Sequence, residues 1–244
     1  MKIPVIAGTI RRRFLLNFRI EPAVMQKVLP APFEPKLHRG WGIAGICLIR
    51  LEGVHPKSIP MPCGINSENA AHRFAVQWTD EGRTQAGVFI PRRDTDSILN
   101  HLAGGRIFPG IHHKAKFRIA HHNDSFKFEM VSTDGETSIS FAGKKSAEFP
   151  ETSAFASLAD ASAFFEEGSL GYSSTGDPFH YDGLLLETEM WSVSPFHVDE
   201  VHSSYFADES KFPVGSVEFD HALLMQDVPH EWRAAKELCC ENVG

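Results

Sequence analysis

The sequence has 244 residues, of which 42% are hydrophobic and 23% charged, and these values exclude a disordered or fibrous chain. Its 31 acidic residues outnumber its 24 basic ones, so the net charge of −7 offers no basic field for nucleic-acid phosphates. Apolar runs such as residues 41–49 are far shorter than the roughly 20 residues of a membrane-spanning helix. We therefore expect one globular domain over residues 1–244, with no nucleic-acid or membrane partner.

The N-terminal segment and the cysteines both indicate the cytoplasm. In the opening MKIPVIAGTIRRRF the apolar stretch precedes the arginines, which is the reverse of a secretory signal. The four cysteines are Cys47, Cys63, Cys239 and Cys240, and they form neither a C-x-x-C pair nor a regular framework. We expect reduced thiols in a cytoplasmic protein.

Two-residue alternation of apolar and polar side chains predicts strands along most of the chain. In the first half, the predicted strands cover residues 14–20, 42–51, 73–78 and 86–90. The last two form a hairpin through the turn Asp80-Glu81-Gly82-Arg83. Glu68 lies in a loop, residues 64–69, that precedes this hairpin.

A second hairpin is predicted over residues 111–130, with its turn at His122-Asn123-Asp124. The first of its strands alternates, so His113 should share a face with Ala115 and Phe117, whereas Lys114 should point to solvent. The later predicted strands cover residues 138–141, after the turn Asp134-Gly135, and residues 184–193 and 217–224.

Helices are few. They are predicted at residues 21–29, 95–102 and 158–165, and the tail 230–238 is a candidate fourth helix. The pattern favours a β-rich α+β fold, in which an antiparallel sheet closes into a β-barrel with a few short peripheral helices.

The common cofactor motifs are either absent or in the wrong context. Residues 40–45 read G-x-G-x-x-G, but they lead into an apolar strand and not into the helix that a dinucleotide site requires. Neither a G-x-S-x-G elbow nor a Walker lysine loop occurs. We expect no cofactor.

Thirteen histidines raise the question of a metal site. The adjacent pairs His112-His113 and His121-His122 lie on predicted strands, where neighbours point to opposite faces and cannot bind one ion together. Three histidines that are scattered along the chain could still come together at one site in the fold: His180, His197 and His202. We expect no metal site.

Three short segments resemble parts of acetoacetate decarboxylases. Residues 18–22 (Phe-Arg-Ile-Glu-Pro) and 28–34 (Val-Leu-Pro-Ala-Pro-Phe-Glu) are similar to the opening of that family. Residues 105–114, which include Arg106, are similar to its active-site segment: Gly-Arg-Glu, four residues, and Pro-Lys-Lys.

Over most of its length the sequence resembles the YqjF-like family of uncharacterised proteins, domain of unknown function 2071, within the acetoacetate decarboxylase-like superfamily. The segments that carry this resemblance are Phe164-Phe165 to Tyr172-Ser173, Trp191-Ser192-Val193 and residues 212–217 through 229–232.

The decarboxylase resemblance implies a site that lacks its nucleophile. Decarboxylases of this fold use a lysine that forms a Schiff base and is activated by burial and a neighbouring lysine. Residue by residue, the family's arginine falls on Arg11, its glutamate on Glu68 and its second lysine on Lys114. The nucleophilic lysine falls on His113. A shift of register by one residue would put Lys114 there, but the strand alternation argues against it.

We therefore expect an enzyme, lyase-like but not a typical acetoacetate decarboxylase, that acts on a small oxo-acid or carbonyl compound. In this hypothesis His113 and Glu68 exchange protons. Arg11, Lys114 and Arg106 bind the substrate. Arg11 has an alternative interpretation as part of a solvated arginine run, residues 11–13.

The alternative function is a non-catalytic barrel that binds a small apolar or carboxylated ligand. The missing lysine favours this alternative, and the retained acid and arginine favour the enzyme. Decarboxylases of this fold assemble into homo-oligomers, so the resemblance implies a homo-oligomer as well.

Overall fold

A computed structural model describes residues 4–58, 64–103, 110–177 and 179–239 of the chain. Within these ranges the strands are β1 (Ile6–Ile20), β2 (Glu34–Pro35), β3 (Leu37–His38), β4 (Trp41–Pro56), β5 (Ile65–Asp80), β6 (Arg83–Thr95), β7 (His112–His122), β8 (Ser125–Ser132), β9 (Ser138–Lys145), β10 (Leu170–Ser174), β11 (His180–Thr188), β12 (Ser194–Ser203), β13 (Val217–Ala234) and β14 (Leu238–Cys239). The helices are α1 (Pro22–Val28), α2 (Ile98–Ala103) and α3 (Leu158–Glu167). None of these helices is long and apolar enough to cross a membrane.

The strands belong to one sheet whose pairings ring round nine strands. The order of the ring is β1, β4, β5, β6, β7, β8, β9, β12, β13 and back to β1. Most neighbours are antiparallel, as the hairpin pattern predicts, but β6 pairs in parallel with β7 and with β10. The β-rich α+β class predicted from the sequence is therefore confirmed.

Two long strands each carry two partners along one edge. In β6, residues 88–90 pair with β10 and residues 93–95 pair with β7. In β13, residues 222–224 pair with β12 and residues 230–234 pair with β11. Because β10 and β11 also pair with each other, they connect β6 to β13 a second time. Strands β13, β1, β4, β5 and β6 are thus shared by two rings.

The three predicted turns are confirmed, and each contains a residue in the left-handed region. Glu81 and Gly82 join β5 to β6 with φ values of 50° and 75°. Asn123 joins β7 to β8 with a φ of 53°, and Gly135 lies between β8 and β9 with a φ of 76°. Consecutive positive φ values match the twist of a tight two-residue hairpin.

The core of the nine-strand ring is aromatic. Phe14 is fully buried, and its ring meets those of Phe126, Phe141 and Phe196 edge to face at centroid distances of 5.1, 4.9 and 4.9 Å. The four side chains come from four different strands, β1, β8, β9 and β12. Burying one Phe side chain contributes about 1.5–3 kcal/mol to the stability of the fold. Because the four rings come from different strands, their contacts link opposite sides of the nine-strand ring.

Three local predictions are wrong. Glu68 lies inside β5 and not in a loop, because the strand already begins at Ile65 and pairs Glu68 with Arg50 of β4. The tail is not a helix, since residues 230–234 continue β13 and pair with β1 and β11. The strand predicted at residues 184–193 ends at Thr188.

Two buried histidines make the stability of the fold depend on pH. Burial, together with the charge of a nearby arginine, lowers the pKa of His72 from 6.5 to about 3 and that of His230 to about 4. Each neutral imidazole therefore stabilises the fold above pH 6.5. This contribution is lost as the pH falls from 6.5 toward the folded pKa, because the unfolded chain binds the proton first.

Replacing His72 with Gln should make this acid-induced loss of stability shallower, by up to about 1.4 kcal/mol per pH unit between about pH 4.5 and 6. The free energy of unfolding, measured by urea titration at several pH values, checks the slope. His197→Gln is the matched control, because the His197 side chain is 57% exposed. An identical slope in His72→Gln and the parent would contradict the prediction.

Candidate functional site

A cavity of about 130 Å³ lies between the shared strands and the cover formed by β10, β11 and α3. This volume is roughly ten times the 10–15 Å³ that a single water needs, so a small organic molecule fits. The walls are largely apolar and include Ile49, Ile90, Leu184, Trp191 and Trp232. The Trp191 indole donates a hydrogen bond to Ser162 of α3 at 3.0 Å, which holds that wall in place.

A row of paired side chains crosses the floor of the cavity. Cys47 of β4 is paired with Ala71 of β5, Ala71 with Arg93 of β6, and Arg93 with His112 of β7. Side chains that face each other in adjacent strands point to the same side of the sheet. Cys47, Arg93 and His112 therefore share the cavity, and the small Ala71 leaves room between the first two.

Three arginines place positive charge at this cavity. The Nε of Arg13 donates to Sγ of Cys47 at 3.2 Å, and the Nε of Arg93 donates to Oγ of Ser173 at 3.0 Å. The guanidinium of Arg73 lies over the Phe165 ring at 4.7 Å. Among the described residues no carboxylate pairs with any of the three.

Burial lowers the pKa of Arg73 and of Arg93 to about 10, and the charge of Cys47 opposes this lowering in both. Both guanidinium groups are therefore charged at neutral pH. Since a buried cation is costly unless it is paired, this cavity is a place where an anion would be stabilised.

A buried chain of hydrogen bonds positions Arg73. Its Nη2 donates to Oδ1 of Asn17 at 2.6 Å, and Nδ2 of Asn17 donates to Nε2 of His221 at 3.0 Å. Nδ1 of His221 then donates to Asp220 at 2.6 Å. Burial raises the pKa of Asp220, but hydrogen bonds from His221 and Ser153 outweigh it and leave that pKa lowered. The chain thus ends in a carboxylate that offsets the charge of Arg73 through two neutral side chains.

His112 supplies a neutral imidazole at the other end of the row. Burial and then the charge of Arg93 lower its pKa to about 3. Nδ1 lies 3.2 Å from the carbonyl oxygen of Gly110, which it contacts as an N–H donor. In that tautomer Nε2 carries the lone pair that can accept a proton.

The predicted arginine is displaced along its strand. The register of β1 against β4 shifts between Ile10 and Arg12, so Arg11 is the extra residue of a β-bulge. Arg11 is 59% exposed and pairs with Asp227. Arg13, two positions further along β1, lines the cavity instead.

The predicted pair of Glu68 and His113 is not formed. Glu68 accepts a hydrogen bond from Arg12 at 2.8 Å, and its pKa is raised by burial although Arg12 opposes this. His113 lies on the face of Ala115, as alternation predicted, with Nδ1 3.0 Å from the Asp134 carboxylate. The cavity lies on the opposite face of β7, and the residue of β7 that lines it is His112.

Of the two remaining predicted residues, Lys114 is exposed, and Arg106 lies outside the described residues. Within the described part of the chain the cavity lining contains no lysine, and no cluster of side chains suited to a metal ion is present.

The polar cavity residues that sequence reasoning did not assign to a site include Arg13, Cys47, Arg73, Arg93 and His112. One signal was available, because Ser67, Asn69, Ala71 and Arg73 recur at two-residue spacing. These residues lie on the face of β5 that lines the cavity, and the alternation begins before residue 73, where the predicted strand starts.

The sequence matches the family DUF2071, described as an uncharacterised conserved protein, over residues 8–227. The chain belongs to this family. A search of curated proteins finds no match.

Solved structures similar to this DUF2071 chain have an acetoacetate decarboxylase-like fold. Acetoacetate decarboxylase from Legionella pneumophila is 13% identical with a TM-score of 0.58, and the match covers 95% of this chain and 87% of that one. An acetoacetate decarboxylase-like enzyme from Sphingomonas wittichii is 11% identical with a TM-score of 0.56, covering 99% and 94%. The enduracididine biosynthesis enzyme MppR, complexed with pyruvate, is 10% identical with a TM-score of 0.54, covering 100% and 93%.

Because the described residues that line this DUF2071 cavity include no lysine, the protein should not form a Schiff base there. Incubation with acetoacetate and borohydride should leave the mass of the intact protein unchanged, as measured by mass spectrometry. The Legionella decarboxylase, treated in parallel, tests the reagents. An adduct mapped to Lys114 would restore the decarboxylase register.

Proposed function

We propose that this protein is an enzyme that acts on a small oxo-acid or related carbonyl compound by proton exchange, without a Schiff-base lysine. The observation that carries the proposal is the cavity itself. It places Arg13, Arg73 and Arg93 around a space of small-molecule size, and no described carboxylate pairs with them.

The arginines select a carboxylate. A guanidinium group binds a carboxylate through paired, charge-assisted hydrogen bonds. Apolar walls such as Trp191 and Ile90 lower the local polarity, and charge pairs are stronger in less polar surroundings. A small carboxylate would therefore gain from a site that is already assembled and positively charged.

His112 is the proton acceptor in this proposal, in place of Glu68 and His113, which do not line the cavity. His112 is neutral at pH 7, because burial and the charge of Arg93 both lower its pKa. A bound carboxylate adds negative charge beside Arg93 and raises the pKa of the imidazole. Nε2 can then remove a proton from the carbon next to the substrate carbonyl, while the arginines stabilise the charge on the enolate oxygens.

Proteins of similar fold support the choice of substrate class. MppR has been described in complex with pyruvate, a small oxo-acid, and with its condensation product with imidazole 4-carboxaldehyde. The Legionella protein is an acetoacetate decarboxylase by name. Pyruvate and acetoacetate are accordingly the probes that we choose.

Pyruvate and acetoacetate should raise the melting temperature of the protein. A ligand that binds only the folded state stabilises it by about 2.7 kcal/mol at one hundred times its dissociation constant. Acetone, which keeps the carbonyl but lacks the carboxylate, should give a much smaller shift. Differential scanning fluorimetry measures all three.

Two arginine variants make this binding test specific. Arg93→Met should weaken both ligands, whereas Arg11→Ala should bind them like the parent, because Arg11 is exposed and paired with Asp227. Equal ligand shifts in Arg93→Met and the parent would remove the cavity from the proposal. A loss of the ligand-induced shift in Arg11→Ala alone would instead place the binding site at the β-bulge around Arg11.

Turnover separates an enzyme from a binding protein. The parent should accelerate exchange of the methyl protons of pyruvate with deuterium in D₂O, followed by proton NMR. His112→Gln should slow this exchange by roughly 10²- to 10⁴-fold, as loss of a general base does, with a smaller change in affinity.

The adjacent histidine distinguishes the two assignments of the proton carrier. His113→Gln should exchange like the parent if His112 carries the proton, and should lose the exchange if the assignment from the resemblance holds. Pyruvate binding without any exchange in the parent would favour the alternative, a non-catalytic binding protein.

A further inference from the structure

Cys47 is a cavity residue that the proposed proton exchange does not use. It lies on β4, its thiol is free, and it lines the cavity opposite Ala71. Its sulfur accepts a hydrogen bond from Nε of Arg13 at 3.2 Å. The nucleophilic form of cysteine is the thiolate, which neighbouring arginines stabilise.

A separate observation points to an anionic ligand beside this sulfur. Arg73 is only 6% exposed, yet its Nε has no hydrogen-bond partner in the part of the chain that the structure describes. The same holds for Nη1 of Arg13. Both side chains line the cavity, and buried donors are almost always paired. An acceptor with negative charge would satisfy both.

We propose that Cys47 is a nucleophile that forms a covalent bond to small carboxylates with an electrophilic carbon, held in the cavity by Arg13, Arg73 and Arg93. This inference rests on the carboxylate binding of the proposed function but requires no proton exchange. It assigns the cavity a second reactive group, on the opposite side of Ala71 from Arg93.

With an oxo-acid, the step is an addition that needs no oxidant, reductant or leaving group. The sulfur bonds to the carbonyl carbon, and the electron pair of the carbonyl π bond moves to oxygen. That oxygen takes up one proton in exchange for the proton that the thiol releases. The product is a hemithioketal, and its formation is reversible.

The first test compares alkylation of Cys47 by iodoacetate, an anion, and iodoacetamide, its neutral analogue. In both reactions the sulfur bonds to carbon, iodide leaves with the bonding pair and the thiol proton goes to solvent. Cys239 is the internal control, because it is exposed on β14 and lies 3.0 Å from His180, away from the cavity arginines. Rates are measured for each cysteine by peptide mass spectrometry.

The ratio of the iodoacetate rate to the iodoacetamide rate should be higher at Cys47 than at Cys239 by about tenfold or more, because positively charged clefts concentrate anions. Pyruvate should protect Cys47 and not Cys239 in the parent protein. Arg93→Met should reduce the ratio at Cys47, and Arg11→Ala should not. Similar ratios at the two cysteines, or a Cys47 that reacts only after unfolding, would overturn the proposal.

The second test detects the adduct with an oxo-acid. Carbon NMR of the parent with saturating [2-¹³C]pyruvate should show a protein-bound tetrahedral carbon that is missing in Cys47→Ser. Absence of this signal in the parent would overturn the covalent step. Preferential alkylation of Cys47 without proton exchange would support the role of Cys47 and contradict the proposed function. Proton exchange without preferential alkylation would support the proposed function and contradict the role of Cys47.

Discussion

Buried positive charge is the constraint on which the cavity depends. Removing a guanidinium group from water costs several kcal/mol unless other groups compensate. Arg73 is compensated through Asn17 and His221 by the carboxylate of Asp220, and its face lies over Phe165. The guanidinium of Arg13 contacts the sulfur of Cys47 and the ring of Trp191, and that of Arg93 donates to the hydroxyl of Ser173. These contacts hold the charges in place without neutralising them beside the cavity.

The double pairing of β6 and β13 makes such a site compatible with a stable fold. Strand alternation sends Phe14, Leu48 and Phe74 of the shared strands into the aromatic core, and Arg13 and Cys47 to the other face. In a sheet with one buried face, that second group would lie in solvent. Here β10 and β11 cover it, so one set of strands supports an apolar core on one side and a charged cavity on the other.

The sequence predicted the hairpins and the fold class well, because alternation and turn residues act locally. The site was harder, because three of its determinants are not local. The bulge at Arg11 arises only when β1 pairs with β4. The residues of β5 before the predicted strand become part of the sheet only by pairing with β4. The cavity is covered only because β10 pairs with β6. The resemblance carried positions over along the chain, so it named His113 and Arg11, whereas the structure brings His112 and Arg13 to the cavity.

The loss of the lysine and the retention of positive charge are chemically consistent in the proposed site. A lysine nucleophile is activated when neighbouring cations disfavour its ammonium form. Neighbouring cations also favour the thiolate form of a cysteine in general. Burial, and after it the charge of Arg93, lowers the pKa of His112, so the imidazole is neutral and can accept a proton. A cationic cavity therefore activates each of these groups through one electrostatic effect. In the proposed site, a thiol and an imidazole in place of the amine would change which bond forms at the carbonyl, while the arginines proposed to bind the carboxylate stay the same.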